Sequence, residues 1–218
     1  MTTMTKVAII GASGMAGSAI YQQAAGNDGL AVTGIIRDEA KARQVLGANA
    51  NLLVGDVLTL RSATLGEFDI IVDAFNPGPA HADQQLDLAK KLVQVAQQHS
   101  ARLIFILGAG SLRTGSDRHY FVEDIAKTPG ADKWINTPRQ QLKEYQYLMT
   151  VNDVDWLGIS PSAMFVPGPA SKYVIGGDDL LVNGDGQSQV TAGTMAKLVI
   201  NEVCAPHYHQ QRITVIDA

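Results

Sequence analysis

The chain has 218 residues, of which 46% are hydrophobic, so it is long enough to bury a sizeable core as one α/β domain. A formal net charge of −4 gives no basic footprint for nucleic acid, and the longest apolar runs, such as Leu103–Leu107, are too short to span a bilayer. The single cysteine, Cys204, allows no internal disulfide. With no hydrophobic signal segment visible at the amino end, we expect a cytoplasmic protein.

Apolar strands and amphipathic helices alternate along the sequence. The predicted elements are, in chain order, a strand at Lys6–Ile10, a helix from Met15 to Ala25, a strand at Leu30–Ile36, a helix capped by Asp38 that runs to Leu46, strands at Leu52–Val54 and Asp69–Ala74, a long helix with Pro79 in its first turn, a strand at Arg102–Leu107, a helix from Pro138 to Met149, a strand at Trp156–Ser160, a helix at Ala192–Cys204 and a strand at Arg212–Ile216. This alternation is typical of a doubly wound α/β fold with a parallel sheet.

Two stretches interrupt the alternation. Leu112–Thr137 is rich in Gly, Asp, Arg, Lys and Thr, and a loop of this length predicts a lid or binding element, or partial disorder. After Ser160 the pattern becomes irregular, with a hairpin turn predicted at Asn183–Gly186. We therefore predict a small irregular carboxy-terminal region on the substrate side. No linker marks a second domain, so residues 1–218 form one predicted domain.

Three glycines follow the first strand and open the first helix. Gly11 permits a tight turn, Gly14 lets backbone N–H groups approach a phosphate, and Gly17 lets the helix lie close to the sheet. The positive end of the helix then faces the anion. An ordinary glycine-containing turn is the alternative. The position directly after an apolar strand favours a dinucleotide diphosphate and hence a Rossmann-type, NAD(P)-binding domain.

The residues after the second strand bear on cofactor choice, because ligands of doubly wound sheets bind beyond the carboxyl ends of the strands. An acidic residue here binds the ribose 2′-hydroxyl of NAD, whereas an arginine accepts the 2′-phosphate of NADP. Asp38 has a competing role as a helix cap, while Arg37 directly ends the strand. We therefore favour NADP over NAD, with a solvated turn residue as the alternative role of Arg37.

Small and turn-forming residues follow the next three strands. Asp56 is placed to accept a hydrogen bond from the adenine amino group, with Val57 over the ring; an Asx turn at Asp56 is equally well supported. Ala74 leaves room for a cofactor. Gly108 and Ser111 follow the fifth strand, where a nicotinamide has space to pass.

These motifs resemble the atypical short-chain dehydrogenase/reductases, and within them the NADH-flavin reductase group, which is similar to biliverdin-IXβ/flavin reductase and to NmrA-like regulators. The resemblance covers essentially the whole chain, and the segment Ser160–Phe165 is its narrowest motif. It implies a Rossmann core with strand order 3-2-1-4-5-6-7. By matching positions it implies Gly11, Ser13, Gly14, Met15 and Gly17 at the diphosphate, Arg37 at the 2′-phosphate, Asp56 and Val57 at the adenine, Ala74 and Phe75 at its ribose side, and Pro161 and Ser162 at the nicotinamide end.

One departure from the wider superfamily matters. The Tyr-x-x-x-Lys motif matches Arg139–Lys143 here, so the lysine is kept and the tyrosine acid is missing. Alcohol–ketone chemistry without that acid loses a factor of roughly 10²–10⁴, whereas a flavin- or quinone-like ring does not need it. Ser111 is then the candidate for orienting substrate. Lys143 has a functional role, in which it binds the cofactor ribose or stabilises developing negative charge, or else it is a solvated helix residue; the functional and the solvated alternatives are equally weighted.

The leading hypothesis is an NADPH-dependent oxidoreductase that passes hydride to a small aromatic acceptor of the flavin or quinone type. We expect no metal, no tightly bound flavin, no nucleic-acid or membrane partner, and a monomer or homodimer. A non-catalytic NADP-binding sensor of the NmrA-like type is the alternative. An epimerase or dehydratase is disfavoured by the missing tyrosine.

Overall fold

The computed structural model describes residues 4–218. Its strands are β1 (Thr5–Ile10), β2 (Leu30–Ile36), β3 (Leu52–Val54), β4 (Ile70–Asp73), β5 (Arg102–Ile106), β6 (Arg113–Thr114), β7 (His119–Tyr120), β8 (Trp156–Pro161), β9 (Met164–Val166), β10 (Tyr173–Gly176), β11 (Gln189–Thr191) and β12 (Gln211–Asp217). Its α-helices are α1 (Met15–Ala25), α2 (Glu39–Leu46), α3 (Ser62–Leu65), α4 (Gln84–His99), α5 (Phe121–Ile125), α6 (Asn136–Leu148) and α7 (Ala192–Cys204), and 3₁₀ turns lie at Pro79–His81, Ala109–Ser111 and Ala131–Lys133.

Eight strands form the main sheet in the order β10-β12-β8-β5-β4-β1-β2-β3. The pairings from β3 to β12 are parallel, and β10 adds to the edge in antiparallel fashion. The seven strands predicted from the sequence thus occur in the implied order 3-2-1-4-5-6-7. Ile10 of β1 is in register with Ile35 of β2 and with Asp73 of β4, so the carboxyl ends of these strands meet at one edge.

Helices cover both faces of the sheet, as expected for strands whose residues are apolar on both sides. One core cluster joins side chains such as Ile9, Ile104 and Val199 on the face covered by α1 and α7. The other joins Ile71, Leu88 and Leu148, among others, on the face covered by α4 and α6. The predicted doubly wound α/β fold is confirmed.

Two local predictions are wrong, and a third segment contains more regular structure than the sequence predicted. Pro79 lies in a separate 3₁₀ turn rather than in the first turn of the long helix, which begins at Gln84. The turn at Asn183–Gly186 forms, with Gly186 N–H donating to Asn183 O at 3.0 Å, but no hairpin surrounds it. Instead β11 pairs in parallel with β9, which draws the chain after the turn away from an antiparallel partner. The predicted loop at 112–137 contains the short β6–β7 pair and α5.

No helix within residues 4–218 combines the length and apolarity needed to cross a bilayer.

Candidate functional site: a cleft at the carboxyl ends of the strands

A cleft of about 470 Å³ lies at the carboxyl ends of β1, β2, β4 and β5. It is lined by Ile10, Gly11, Ser13, Gly14, Met15, Ala16, Ile35, Ile36, Arg37, Asp38, Lys41, Gly55, Val57, Ala74, Phe75, Asn76, Ile106, Leu107, Gln141 and Phe165. In the sheet, β2 and β3 lie on one side of β1, whereas β4, β5 and β8 lie on its other side. The cleft therefore has two distinguishable ends. We call the β2–β3 side the adenosine end and the β4–β5–β8 side the acceptor end, after the parts of a dinucleotide and its hydride acceptor that the sequence analysis predicts there.

The middle of the cleft is a glycine bend. Gly11 has φ +71°, and a Cβ there would lie 2.6 Å from Ala74 O. A Cβ on Gly17 would lie 2.2 Å from Gly11 O, so only glycine lets α1 approach the end of β1 this closely. Gly14 is the N-cap of α1 and provides no side-chain cap. The first-turn N–H groups are therefore available to an anion, and the bend fits a dinucleotide diphosphate.

Basic side chains mark the adenosine end. Asp38 is committed to capping α2, because its Oδ1 accepts a hydrogen bond from Lys41 N–H at 3.0 Å. Arg37 and Lys41 are exposed, line the cleft and take part in none of the lysine and arginine ion pairs formed within residues 4–218. Lys41 was missed by the sequence analysis. The sequence feature that could have indicated Lys41 is its position as a second cation, one helical turn after Arg37.

A lysine fixes the loop at the far side of the adenosine end. Lys91 Nζ donates to Val57 O at 2.8 Å, Leu58 O at 2.9 Å and Leu60 O at 2.5 Å. Burial lowers the pKa of Lys91, and the nearby Asp56 charge opposes that shift. Val57 lines the cleft, while Asp56 is exposed and forms the Asx turn, with its Oδ1 accepting from Leu58 N–H at 3.0 Å. An ammonium group thus holds the backbone beside Val57.

The acceptor end is lined by apolar and amide side chains. Ala74, Phe75 and Asn76 follow β4, while Gln141 projects from α6 and Phe165 lies in β9. Asn76 and Phe165 were missed by the sequence analysis. Asn76 follows directly on the predicted Ala74–Phe75 pair. Phe165 ends Ser160–Phe165, the segment with the narrowest family resemblance. The resemblance assigned roles only as far as Ser162 in that segment.

Helix α6 presents Gln141, not Lys143, to the cleft. Gln141 lies against Gly108: a Cβ on Gly108 would be 2.0 Å from Gln141 Oε1. Lys143 is exposed and outside the cleft lining, which matches the solvated-helix alternative. The Tyr-x-x-x-Lys spacing singled out Lys143, whereas the residue of α6 that lines the cleft is Gln141.

Three predicted residues at the acceptor end are buried in the protein instead. Ser111 is fully buried, with its hydroxyl donating to Gly108 O at 3.0 Å and accepting from Arg212 Nη1 at 3.1 Å. The hydroxyl of Ser162 donates to Val215 O at 2.7 Å. Pro161 is the buried last residue of β8. All three residues are therefore buried within the protein. This position is at odds with their predicted roles at the nicotinamide and the substrate.

A buried arginine explains the inward position of Ser111. Arg212 of β12 forms an ion pair with Asp178, its Nε 2.9 Å from Asp178 Oδ1. Its guanidinium carbon lies 4.1 Å from the centre of the Tyr145 ring, whose hydroxyl donates to Asp178 Oδ1 at 3.1 Å. A buried guanidinium needs further acceptors, and the 109–111 turn supplies Ser111 O and Oγ. That demand turns Ser111 inward.

Two buried carboxyl groups lie behind the acceptor end. Asp73 ends β4 and accepts a hydrogen bond from Phe75 N–H at 2.9 Å, and Glu144 follows Gln141 by one turn of α6. Each is 5% exposed, and neither pairs with a lysine or arginine of residues 4–218. Burial raises the pKa of Asp73 to about 7, although the bond from Phe75 N–H opposes the shift. Burial, and secondarily the charge of Asp73, raises the pKa of Glu144.

The predicted residues therefore fall into two groups. Those along the cleft are Gly11, Ser13, Gly14, Met15, Arg37, Val57, Ala74 and Phe75; those outside its lining are Gly17, Asp56, Gly108, Ser111, Lys143, Pro161 and Ser162. Gly17 and Gly108 still shape the cleft, because their missing side chains make room for Gly11 and for Gln141. Within residues 4–218 no cluster of His, Cys, Asp or Glu is arranged to hold a metal ion.

Comparison with known proteins places this cleft in context. A family model described as NAD(P)H-binding matches residues 11–206. A Lactobacillus casei protein of known crystal structure is 38% identical, with a TM-score of 0.90 over 98% of this chain and 100% of that one. A Streptococcus pneumoniae protein named "putative NADH-flavin reductase" is 25% identical, with a TM-score of 0.85 over 98% of this chain and 100% of that one.

A third relative extends the sequence comparison. The protein YwnB of Bacillus subtilis is 28% identical over 214 residues, which is 97% of this chain and 98% of that protein. Its name states no activity. The match to the family model spans the glycine bend, both ends of the cleft and the helices that hold them. The chain belongs to the NAD(P)H-binding family, in agreement with its resemblance to the atypical short-chain dehydrogenase/reductases.

Proposed function

We propose that the protein is a cytoplasmic NADPH-dependent oxidoreductase that passes hydride to a small aromatic acceptor of the flavin or quinone type. One observation carries this proposal. The side chains that line the acceptor end, Ala74, Phe75, Asn76, Ile106, Leu107, Gln141 and Phe165, include no ionisable group. A lining without an ionisable side chain suits an acceptor whose conjugated ring spreads the incoming charge until water supplies the proton.

The residues that would hold the nucleotide are those of the cleft. The glycine bend and the first turn of α1 would bind the diphosphate, and Val57 would cover the adenine. When bound, NADPH supplies a hydride, so that it is oxidised to NADP⁺ while the acceptor gains that hydride and a proton from water. Phe75 and Phe165 offer flat apolar surfaces that exclude water from the acceptor end. The protein's part is mainly positioning.

The proposed preference for NADPH rests on the adenosine end. Asp38 is engaged as the cap of α2, so its carboxylate is already bonded, whereas Arg37 and Lys41 are two cations on the cleft wall that form no ion pair with a carboxylate of residues 4–218. Two cations favour a 2′-phosphate over a 2′-hydroxyl, because a charge-assisted hydrogen bond is about twice as strong as a neutral one.

The test mixes the purified protein with NADPH and FMN or a quinone such as menadione and follows the absorbance of the reduced nicotinamide. We expect oxidation that depends on enzyme concentration and is faster with NADPH than with NADH. Calorimetry with NADPH and NADP⁺ is run in parallel. If both nucleotides bind but no flavin or quinone accelerates oxidation, the oxidoreductase proposal is overturned in favour of the NADP-binding sensor.

A further inference from the structure

The acceptor end differs from the rest of the cleft in its polar groups. The charged lining residues Arg37, Asp38 and Lys41 all follow β2, at the adenosine end. Among the lining residues that follow β4, β5 and β8, the polar side chains are those of Asn76 and Gln141. Both are primary amides, which combine hydrogen-bond donors with an acceptor and carry no charge. An uncharged ligand with both donor and acceptor groups is the natural match.

The Gln141 amide is confined on one side by Gly108 and has no hydrogen-bond partner among residues 4–218. It lies against Gly108, where any larger residue would displace it, since a Cβ would be 2.0 Å from Gln141 Oε1. No hydrogen bond within residues 4–218 engages this amide, and its atoms are not among the buried unpartnered ones, so they face the open cleft. Gln141 therefore offers one acceptor and two donors to a ligand.

Asn76 is oriented by its own turn. Its Oδ1 accepts a hydrogen bond from Gly78 N–H at 3.0 Å, and Gly78 has φ +84°, a conformation that favours glycine. One acceptor position of the amide oxygen is thus engaged by the turn, while Nδ2 makes no hydrogen bond within residues 4–218 and is available to donate. The two amides together provide donors from Asn76 and both a donor and an acceptor from Gln141.

We propose that Asn76 and Gln141 recognise the imide edge of a flavin, the –CO–NH–CO– side of its ring, and that the site thereby prefers flavins to quinones. An imide presents one N–H donor between two carbonyl acceptors, which the acceptor of Gln141 and the donors of both amides can satisfy together. A quinone presents carbonyls alone and would leave Gln141 Oε1 unpaired. This inference rests on the proposed function, because it specifies the acceptor of that same site.

The test compares two flavins that differ at one atom: lumiflavin and N3-methyl lumiflavin, which lacks the imide N–H. Binding is measured by quenching of flavin fluorescence with NADP⁺ present, so the readout does not depend on turnover. We expect lumiflavin to bind the natural protein roughly 10-fold more tightly, because a missing donor leaves a polar atom unpaired. Gln141→Leu should remove that preference.

Gln146→Leu is the matched control, since Gln146 is an exposed glutamine on the same helix. It should leave both affinities unchanged, and thermal melting verifies that each variant folds. The KM values for FMN and menadione are measured next. Gln141→Leu should raise the KM for FMN roughly 10-fold and should have little effect on the KM for menadione. Equal binding of the two flavins by the natural protein, or equal losses for FMN and menadione, would overturn the inference alone. Imide-selective flavin binding without NADPH oxidation would overturn the proposed function and leave the inference standing.

Discussion

The two ends of the cleft are built from different parts of the chain and by different means. At the glycine bend and the adenosine end, backbone geometry and charge dominate: the bend of Gly11 and Gly17, the cap at Asp38 and the cations Arg37 and Lys41 all lie within residues 11–41. At the acceptor end, side chains from β4, α6 and β9 meet across more than eighty residues, and they are apolar or uncharged. A site assembled locally is readable from sequence, whereas one assembled by packing is not.

A substitution in the glycine bend should have the largest effect among the variants that test this contrast. Gly17→Ala should destabilise the protein by on the order of 4 kcal/mol and abolish NADPH binding, because the new Cβ would meet backbone atoms at 2.2–2.9 Å. Gly26→Ala, at the other end of α1, is the control: its nearest neighbour would be 3.6 Å away. Urea unfolding and calorimetry check both variants. Equal stability and equal affinity in the two variants would mean that the bend tolerates a side chain.

The acceptor end is instead sensitive to pH through Asp73. Burial raises the pKa of its carboxyl from about 3.8 in the unfolded chain to about 7 in the folded protein. Between these values the folded state holds a proton that the unfolded state has released, so stability falls as pH rises from about 4 to 7. Asp73→Asn should flatten this decline, by about 2–4 kcal/mol between pH 5 and pH 8. Asp87→Asn, on the exposed side of α4, serves as the control.

Urea unfolding of the natural protein and both variants at several pH values measures this effect. The same slope of stability against pH in the natural protein and in Asp73→Asn would show that the buried carboxyl is ionised at no cost.

The smallest expected effect concerns the adenosine end and is selective. Arg37→Ala should weaken NADPH binding by roughly 10- to 100-fold and leave NADH binding nearly unchanged, because only NADPH carries the 2′-phosphate. The control is Arg43→Ala, since Arg43 is paired with Glu39 at 2.7 Å on the same helix. Titration of each nucleotide into each variant gives the affinities. Equal losses for the two nucleotides would leave Arg37 a solvated turn residue.

The sequence predicts the phosphate-binding features well because each depends on neighbours along the chain. The strand before Gly11, the spacing to Gly17 and the cap at Asp38 are local, and the structure contains all three. The order of the seven parallel strands was implied by the family resemblance rather than by local spacing, and the structure contains that order.

The acceptor end escaped prediction because its side chains are oriented by distant partners. Ser111 follows β5 as a ligand-binding residue would, yet Arg212, 101 residues later, takes its hydroxyl. Ser162 likewise donates to Val215, 53 residues away. Gln141 faces the cleft because of how α6 packs, which the spacing to Lys143 does not reveal. Such long-range pairings have no signature in local spacing.

The Lys91 ammonium has a consequence for chemical labelling. It occupies the space among three carbonyl oxygens that a bound cation takes in other loops, so its charge cannot be neutralised without releasing the backbone at Val57. If the adenine ring binds beside Val57 as proposed, a reagent that acylates amines would weaken nucleotide binding from a position behind the cleft wall. A bound nucleotide that contacts Val57 would stabilise these three hydrogen bonds and slow the acylation, so protection of the Lys91 amine would report occupancy of the site.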